Sequence, residues 1–291
     1  MTARYTVTHR TEYGYDDVVT GSYGCAFLLP RQVPGRQRVD ASVVIEPTPV
    51  DQREHLDLYG NRSLYFSVLR EHHRLVVTAT SRVEVAPTPF LPDGPPWEEV
   101  AALLRRGLGV ETVEASEFTL PSPKVTLSDA VAAYVAPSFP PGRPVVAGAL
   151  DLMHRVHAEF DYEPGATSVS TGLDEVLAQR SGVCQDFAHL FVGCLRSIGL
   201  AARYVSGYLE TQPPPGQTKL QGADASHAWA GVYVPDHGWV DLDPTNDLIV
   251  DDRFVVTAWG RDYGDVPPLK GVIFTESAKS TLDVAVDVTR V

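Results

Sequence analysis

The stretch that most constrains this chain is Arg180-Ser181-Gly182-Val183-Cys184-Gln185-Asp186-Phe187-Ala188-His189-Leu190. A turn at Ser181-Gly182 runs into an apolar segment in which Phe187, Ala188, Leu190, Phe191, Cys194, Leu195 and Ile198 recur at three- and four-residue spacings. That period fits one face of a mostly buried helix, and Gly199 supplies a stop. Cys184 therefore falls in or just before the first helical turn. The first backbone N–H groups of a helix lack internal partners, and the helix dipole is positive there. Both favour a thiolate, and cysteines so placed have pKa values lowered from about 8.5 towards neutrality or below. The same N–H groups can bind an oxyanion formed on a substrate carbonyl.

A nucleophile needs a base, and the base needs an orienting group. Downstream, His227 to Val234 reads as a strand, Asp236-His237-Gly238 as a hairpin turn, and Trp239 to Asp243 as the return strand. A tight hairpin makes His227 and Asp243 near neighbours across the ladder. Pro244 has no N–H to give a sheet and ends the strand. Asp241 is the rival carboxylate: alternation places it on the same strand face as Asp243, so periodicity does not choose between them.

Three blocks carry a family resemblance: Gly182 to His189, Ser226-His227-Ala228-Trp229, and Gly238 to Asn246. In this order and spacing they resemble the transglutaminase-like superfamily of papain-like thiol enzymes, above all its bacterial branch, across roughly residues 125 to 265. The resemblance implies Cys184 as nucleophile, His227 as general base and acid, and Asp243 as orienting carboxylate, because Asp243-Pro244-Thr245 matches the family's Asp-Pro-Thr block. Eukaryotic transglutaminases carry Trp directly after the cysteine. Gln185 stands here instead, which favours the hydrolase-like bacterial relatives over protein cross-linking. The resemblance also places the loop 161–171 beside the cysteine, making Tyr162 and Thr171 candidate substrate contacts. Gln185, Trp229 and the block containing Asp262 and Tyr263 complete that candidate set.

The implied fold is α+β: a papain-like, transglutaminase-like core with the cysteine helix packed on an antiparallel sheet. Ahead of it, residues 1–96 read as an all-β, sandwich-like domain. Strand candidates there are Arg4 to Tyr15, Gly21 to Leu29, Arg38 to Ile45, Leu64 to Leu69 and Leu75 to Val85. This part also resembles the N-terminal domain of the bacterial relatives, through His9-Arg10-Thr11, Pro30-Arg31 and Tyr59-Gly60-Asn61. Residues 97–124 form a linker with a helix over Trp97 to Leu108. Residues 125–265 form the core, and 266–291 two C-terminal strands. The loop Thr211 to Asp224, with its run of prolines, is expected to rim the site and set substrate identity.

Composition narrows the function classes. With net charge −13, nucleic acid and anionic membrane surfaces are unfavoured partners; the resemblance implies a peptide or protein amide as substrate. Cys25, Cys184 and Cys194 are too few for a disulfide framework and fit a reducing compartment, so a cytoplasmic location is expected. The N-terminus has no apolar leader core, and no apolar run is long enough to span a membrane. No cofactor is implied. Cys184, His227 and Asp243 are competent zinc ligands, but the paired C-x-x-C spacing of structural zinc sites is absent. His154 and His157 lack a third local ligand. The readings that stay open are an amide hydrolase, a glutamine transglutaminase, and a non-catalytic or zinc-binding interaction module.

Overall fold

The computed structural model describes residues 2–291 except 89, 92, 108, 212–224 and 278; the proline-rich rim loop expected between Thr211 and Asp224 thus lies almost wholly outside the described residues. The chain opens with β1 (Ala3–Ala26), a single 24-residue strand where two are expected. It bends where its register against a neighbour slips between Gly14 and Val19. Four strands follow: β2 (Gln37–Glu46), β3 (Asp51–Leu56), β4 (Arg62–Val68) and β5 (His72–Val85). They assemble in the order β2-β5-β1-β4-β3. The first half of β1 pairs with β5 and the second half with β4, so one strand serves both halves of the domain.

The connecting segment holds α1 (Trp97–Arg106), α2 (Val110–Ser116), a 3-10 turn and α3 (Asp129–Val135), whose cap Ser128 accepts the Val131 N–H. Next comes α4 (Val145–Glu159). The carbonyls of Asp93 and Pro95 accept the N–H groups of Val146 and Val145, so the proline-rich stretch covers the start of α4. A two-residue parallel bridge joins β6 (Asp161–Tyr162) to β7 (Ser181–Gly182), with α5 (Leu173–Gln179) between them. The cysteine helix α6 (Cys184–Ser197) follows directly. It is buried along nearly its whole length against α3, α4 and α5 and one face of an antiparallel sheet.

That sheet comprises β8 (Ala202–Leu209), β9 (Ser226–Val234), β10 (Gly238–Asp243), β11 (Leu248–Ile249) and β12 (Phe254–Gly260), in the order β11-β10-β9-β8-β12. The last strands, β13 (Leu269–Thr275) and β14 (Ser280–Arg290), do not form a separate C-terminal unit. Both pair antiparallel with β1, which completes the N-terminal sheet with the end of the chain.

The two parts share an apolar seam. Tyr5, Val7, Val83, Val85, Val286 and Val288 pack on Tyr208 and Val255. The outer edge of β12 would otherwise carry unpaired N–H and C=O groups, which are costly when buried. Two side-chain amides satisfy them. Gln37 Nε2 donates to the Val256 carbonyl (2.8 Å) and its Oε1 accepts the Val256 N–H (2.9 Å). Asn61 does the same for Trp259, at 2.8 and 2.9 Å.

Candidate active site

The site lies where the start of α6 meets the open ends of β9 and β10. Val183, in extended backbone, precedes the helix. Asp186, buried one turn in, accepts the Val183 N–H (2.9 Å) and the Thr167 hydroxyl (2.5 Å) on the same oxygen. This caps the helix and ties the loop 163–171 to it. The amides of Asp186 and Phe187 bond back to the Val183 carbonyl, leaving those of Cys184 and Gln185 as the donors at the helix start. Gly182 fits tightly here, since a Cβ at that position would come 2.9 Å from the Asp186 carboxylate.

The hairpin of β9 and β10 brings the other two residues in. Gly238 pairs with Val234 and Leu242 with Ala230, and Asp236 and Gly238 take up the positive φ angles of the turn. His227 Nε2 lies 2.7 Å from Asp243 Oδ2, and the Asp243 carboxylate is fully buried. Its other oxygen accepts the N–H groups of Thr245 (3.0 Å) and Asn246 (3.4 Å). A carboxylate so engaged accepts only, so the imidazole carries its proton on Nε2 towards Asp243. Cys184 also acts on the imidazole and raises its pKa. Burial alone would lower the His227 pKa, but the hydrogen bonds to Asp243 and Cys184, with their charges, push it up to about 10.

One residue of this arrangement has no role in the sequence reading. Asn246 Nδ2 donates to Asp243 Oδ2 (2.7 Å) and sits 3.3 Å from His227 Nε2. It fixes the carboxylate from the side opposite the backbone donors. The signal for it is slight, a polar residue three after the aspartate in the turn that Pro244 forces.

The two aspartates of β10 separate cleanly. Asp241 pairs with Arg203 (3.1 Å), both almost fully buried. The Arg203 guanidinium lies over the rings of Trp239 (4.6 Å) and Trp259 (3.9 Å). Arg31 of the β domain covers Trp259 from its own side, at 3.2 Å. Gly231 leaves room for the ion pair, because a Cβ there would meet Asp241 Oδ1 at 2.5 Å. Asp241 is thus committed to the core, and Asp243 alone faces the histidine.

The remaining candidates are placed unequally. Gln185 is half-buried beside Cys184 at the helix start. Tyr162 is 56% exposed, packs edge-on against Phe187, and has its phenol pKa raised by burial and then by Cys184. Thr171 accepts the Ser168 N–H within its own loop (2.9 Å). Trp229 is fully buried and packs against Phe254, with rings 5.3 Å apart; both flank His227, at 6.1 and 6.2 Å. Trp229 and Phe254 are thus a wall behind the imidazole. Asp262 is buried, and its two oxygens accept the N–H groups of Lys124 (2.9 Å) and Gly264 (2.8 Å), so it locks a turn. Tyr263 is half-buried in the cluster that holds Cys184, its ring 6.4 Å from that of Tyr204. Tyr204, absent from the sequence-based set, is buried, with burial and then Cys184 holding its phenol well above its ordinary pKa.

Three other candidate groups have other duties. His189 accepts the Tyr263 N–H (3.1 Å), and burial pushes its pKa down to about 4. Cys25 meets the Ser63 hydroxyl at 3.0 Å, while Cys194 is in the core. Among the described residues no group of three or more His, Cys, Asp or Glu is placed to hold a metal ion.

Comparison with known proteins agrees with this architecture. Residues 134–244 match the transglutaminase-like superfamily model, and residues 5–84 match the bacterial transglutaminase-like N-terminal region. An uncharacterised Mycobacterium tuberculosis protein is 49% identical over 296 residues, covering 99% of this chain and 93% of its own length. One from Mycobacterium leprae is 36% identical over 290 residues, covering 99% of both. The protein-glutamine gamma-glutamyltransferase of Pseudomonas aeruginosa is 30% identical over 123 residues, or 36% of this chain and 18% of that protein. Among solved structures, a "Putative Cysteine Protease" from Cytophaga hutchinsonii superposes with a TM-score of 0.75 at 19% identity, covering 98% of this chain and 91% of that one. From the cysteine helix, the histidine–aspartate hairpin and these matches together, the chain belongs to the transglutaminase-like superfamily.

Proposed function

We propose that this protein is a cysteine-dependent enzyme that opens an amide bond of a peptide or protein through a thioester on Cys184, and that water is its usual second substrate. The observation that carries this reading is the His227–Asp243 hydrogen bond, with the His227 pKa raised by Asp243 and by Cys184 at the start of the helix. The Cys184 sulfur attacks the amide carbon, and a C–S bond forms. The charge gathers on the carbonyl oxygen, where the Cys184 and Gln185 amides receive it; losing one such donor typically costs about 2.7–4 kcal/mol of barrier. His227 passes its proton to the leaving nitrogen as the C–N bond breaks. Water then attacks the thioester, His227 takes its proton, and the C–S bond breaks to restore the thiolate. Asp243 and Asn246 hold the ring in one orientation through both steps.

Hydrolysis is favoured because Cys184 is partly open to solvent and water needs no binding site of its own. The second reading is transfer to an amine, favoured by the similarity to the Pseudomonas glutamyltransferase. The chemistry is the same up to the thioester.

Iodoacetamide labelling followed by peptide mapping tests the first step. Cys184 should alkylate fastest of the three cysteines at pH 6, and His227→Ala should abolish that advantage. Incubation with glutamine-containing peptides, with and without a primary amine, then separates acid product from new amide. A Cys184 no more reactive than Cys25 would sink the proposal.

A further inference from the structure

The β domain contributes a recess that the chemistry at Cys184 does not account for. The first half of β1 turns Tyr13 and Tyr15 into it, their rings stacked 6.4 Å apart, and the second half turns Ser22 and Gly24 towards them. Phe66 closes one wall, and Ile273 of β13 stands at the rim. The cavity measures about 180 Å³. An apolar cavity of about 150 Å³ is large enough to take up benzene, so a phenyl ring fits. The rim is apolar and open. Ile273 is 38% exposed, and Leu282, directly across from Tyr13 on β14, is 59% exposed.

The recess is linked to the cluster around Cys184 by a short series of contacts. Lys270, another lining residue, donates to the Gly264 carbonyl (3.5 Å). Gly264 adjoins Tyr263, which burial and then Tyr13 hold above its ordinary phenol pKa. Tyr263 packs with Tyr204 in the cluster that contains Cys184. The rim strand β13 pairs with β1 on one side, and among the described residues no strand lies on its other side. Its outer edge therefore presents backbone donors and acceptors to an extended chain.

Resting on the amide chemistry at Cys184, we propose that this recess is a substrate subsite: it receives an aromatic side chain of the peptide whose amide is presented to Cys184. A phenyl ring matches its volume and its tyrosine and phenylalanine walls. The β13 edge matches a peptide backbone, and Lys270, Tyr263 and Tyr204 connect the recess by contact to the cluster that holds the sulfur. Selectivity would then be set by the β domain rather than by the catalytic core.

The test uses the full chain and octapeptides that differ at one position, carrying Phe, Leu, Ala or Asp, with products read by mass spectrometry. At one position kcat/KM for Phe should exceed that for Ala by about 10-fold or more. Ile273→Glu, which puts a charge at the rim, should bring that ratio close to one, while Val44→Glu, at an exposed position outside the recess lining, should leave it unchanged. Thermal unfolding checks that Ile273→Glu is folded; if it is not, Ser280→Trp fills the recess from its exposed edge. Cleavage without a Phe preference, or with one that these variants leave intact, overturns the subsite. If no peptide reacts at all, the amide reading fails, and the recess is judged by binding. N-acetyl-L-phenylalaninamide titrated into the Cys184→Ala protein should saturably shift the ring resonances of Tyr13 and Tyr15, whereas N-acetyl-L-alaninamide should not. No such shift overturns it.

Discussion

Asp241 and Asp243 stand two residues apart on one strand, yet Asp241 is bonded to Arg203 and Asp243 to His227. One neutralises a cation that two tryptophans enclose, and the other orients an imidazole. Substituting each should therefore damage a different property. Asp243→Asn keeps the shape but removes the acceptor that holds the His227 tautomer, so kcat/KM should fall by about 10³–10⁴, as for the equivalent change in a serine triad. Asp241→Asn leaves a buried guanidinium short of its counter-charge, so stability should fall by about 3–5 kcal/mol, with activity per folded molecule retained. Urea denaturation alongside steady-state kinetics separates the two, and the opposite pattern would mean that the aspartates have been assigned the wrong way round.

Asn246 should act through Asp243. Asn246→Ala removes one of the hydrogen bonds to the carboxylate and should lower kcat by about 10-fold, equivalent to about 1.4 kcal/mol, with KM little changed. Asn246→Asp places a second carboxylate against Asp243 and should be worse than alanine. Equal activity in all three proteins would remove the residue from the site.

The pH dependence of stability should show two separate windows. His227 has its pKa raised to about 10 in the folded protein against about 6.5 unfolded, so its stabilising contribution is full below pH 6.5 and is lost as pH rises to 10. His9 and His189 are buried and pushed down to about 4, so they act in the other direction. Their contribution is full above pH 6.5 and drains away as pH falls to 4, of order 3 kcal/mol each. Chemical denaturation from pH 4 to 10 should thus give a maximum near pH 6.5. His9→Gln should flatten only the acid side, and His227→Gln only the alkaline side.

The edge of β12 should depend on two side-chain amides. Asn61→Ala leaves the Trp259 N–H and C=O without partners, and Gln37→Ala strips the Val256 N–H of its acceptor and leaves the Val256 carbonyl only the Arg31 N–H at 3.2 Å. Each should cost about 1–3 kcal/mol. Hydrogen exchange resolved by residue should show the Val256 and Trp259 amides losing protection first, and uniform loss across the sheet would contradict a local role.

Much of the site is legible in the sequence because local rules fix it. The helix period after Cys184 and the turn at Asp236–Gly238 each bring a residue into place with little help from afar. The partner of Asp241 is not legible. Arg203 reads as one polar residue in an apolar strand, and only the folded sheet shows Trp239 and Trp259 on its two sides. β3 is hidden for another reason: Asp51-Gln52-Arg53-Glu54-His55 is polar throughout, as an exposed edge strand can be, so no alternation marks it. α2 has only two turns, with β-branched Val110, Thr112 and Val113 among its seven residues, and its packing beside α1 outweighs weak propensity. Asp262 is misleading in the opposite sense. It lies beside Tyr263 in a suggestive block, but two backbone amides occupy its carboxylate.

The pairing of β13 and β14 with β1 makes the catalytic core an insertion between the first and last segments of another domain. On a ribosome, β1 is made first and must wait for residues 269–290 before its outer edge is covered. A chain cut after Pro268 would keep Cys184, His227 and Asp243 but leave that edge bare, and so be prone to self-association. Joining the two ends by a short linker and opening the chain elsewhere is the gentler rearrangement, because the Val291 N–H already bonds the Arg4 carbonyl at 2.9 Å.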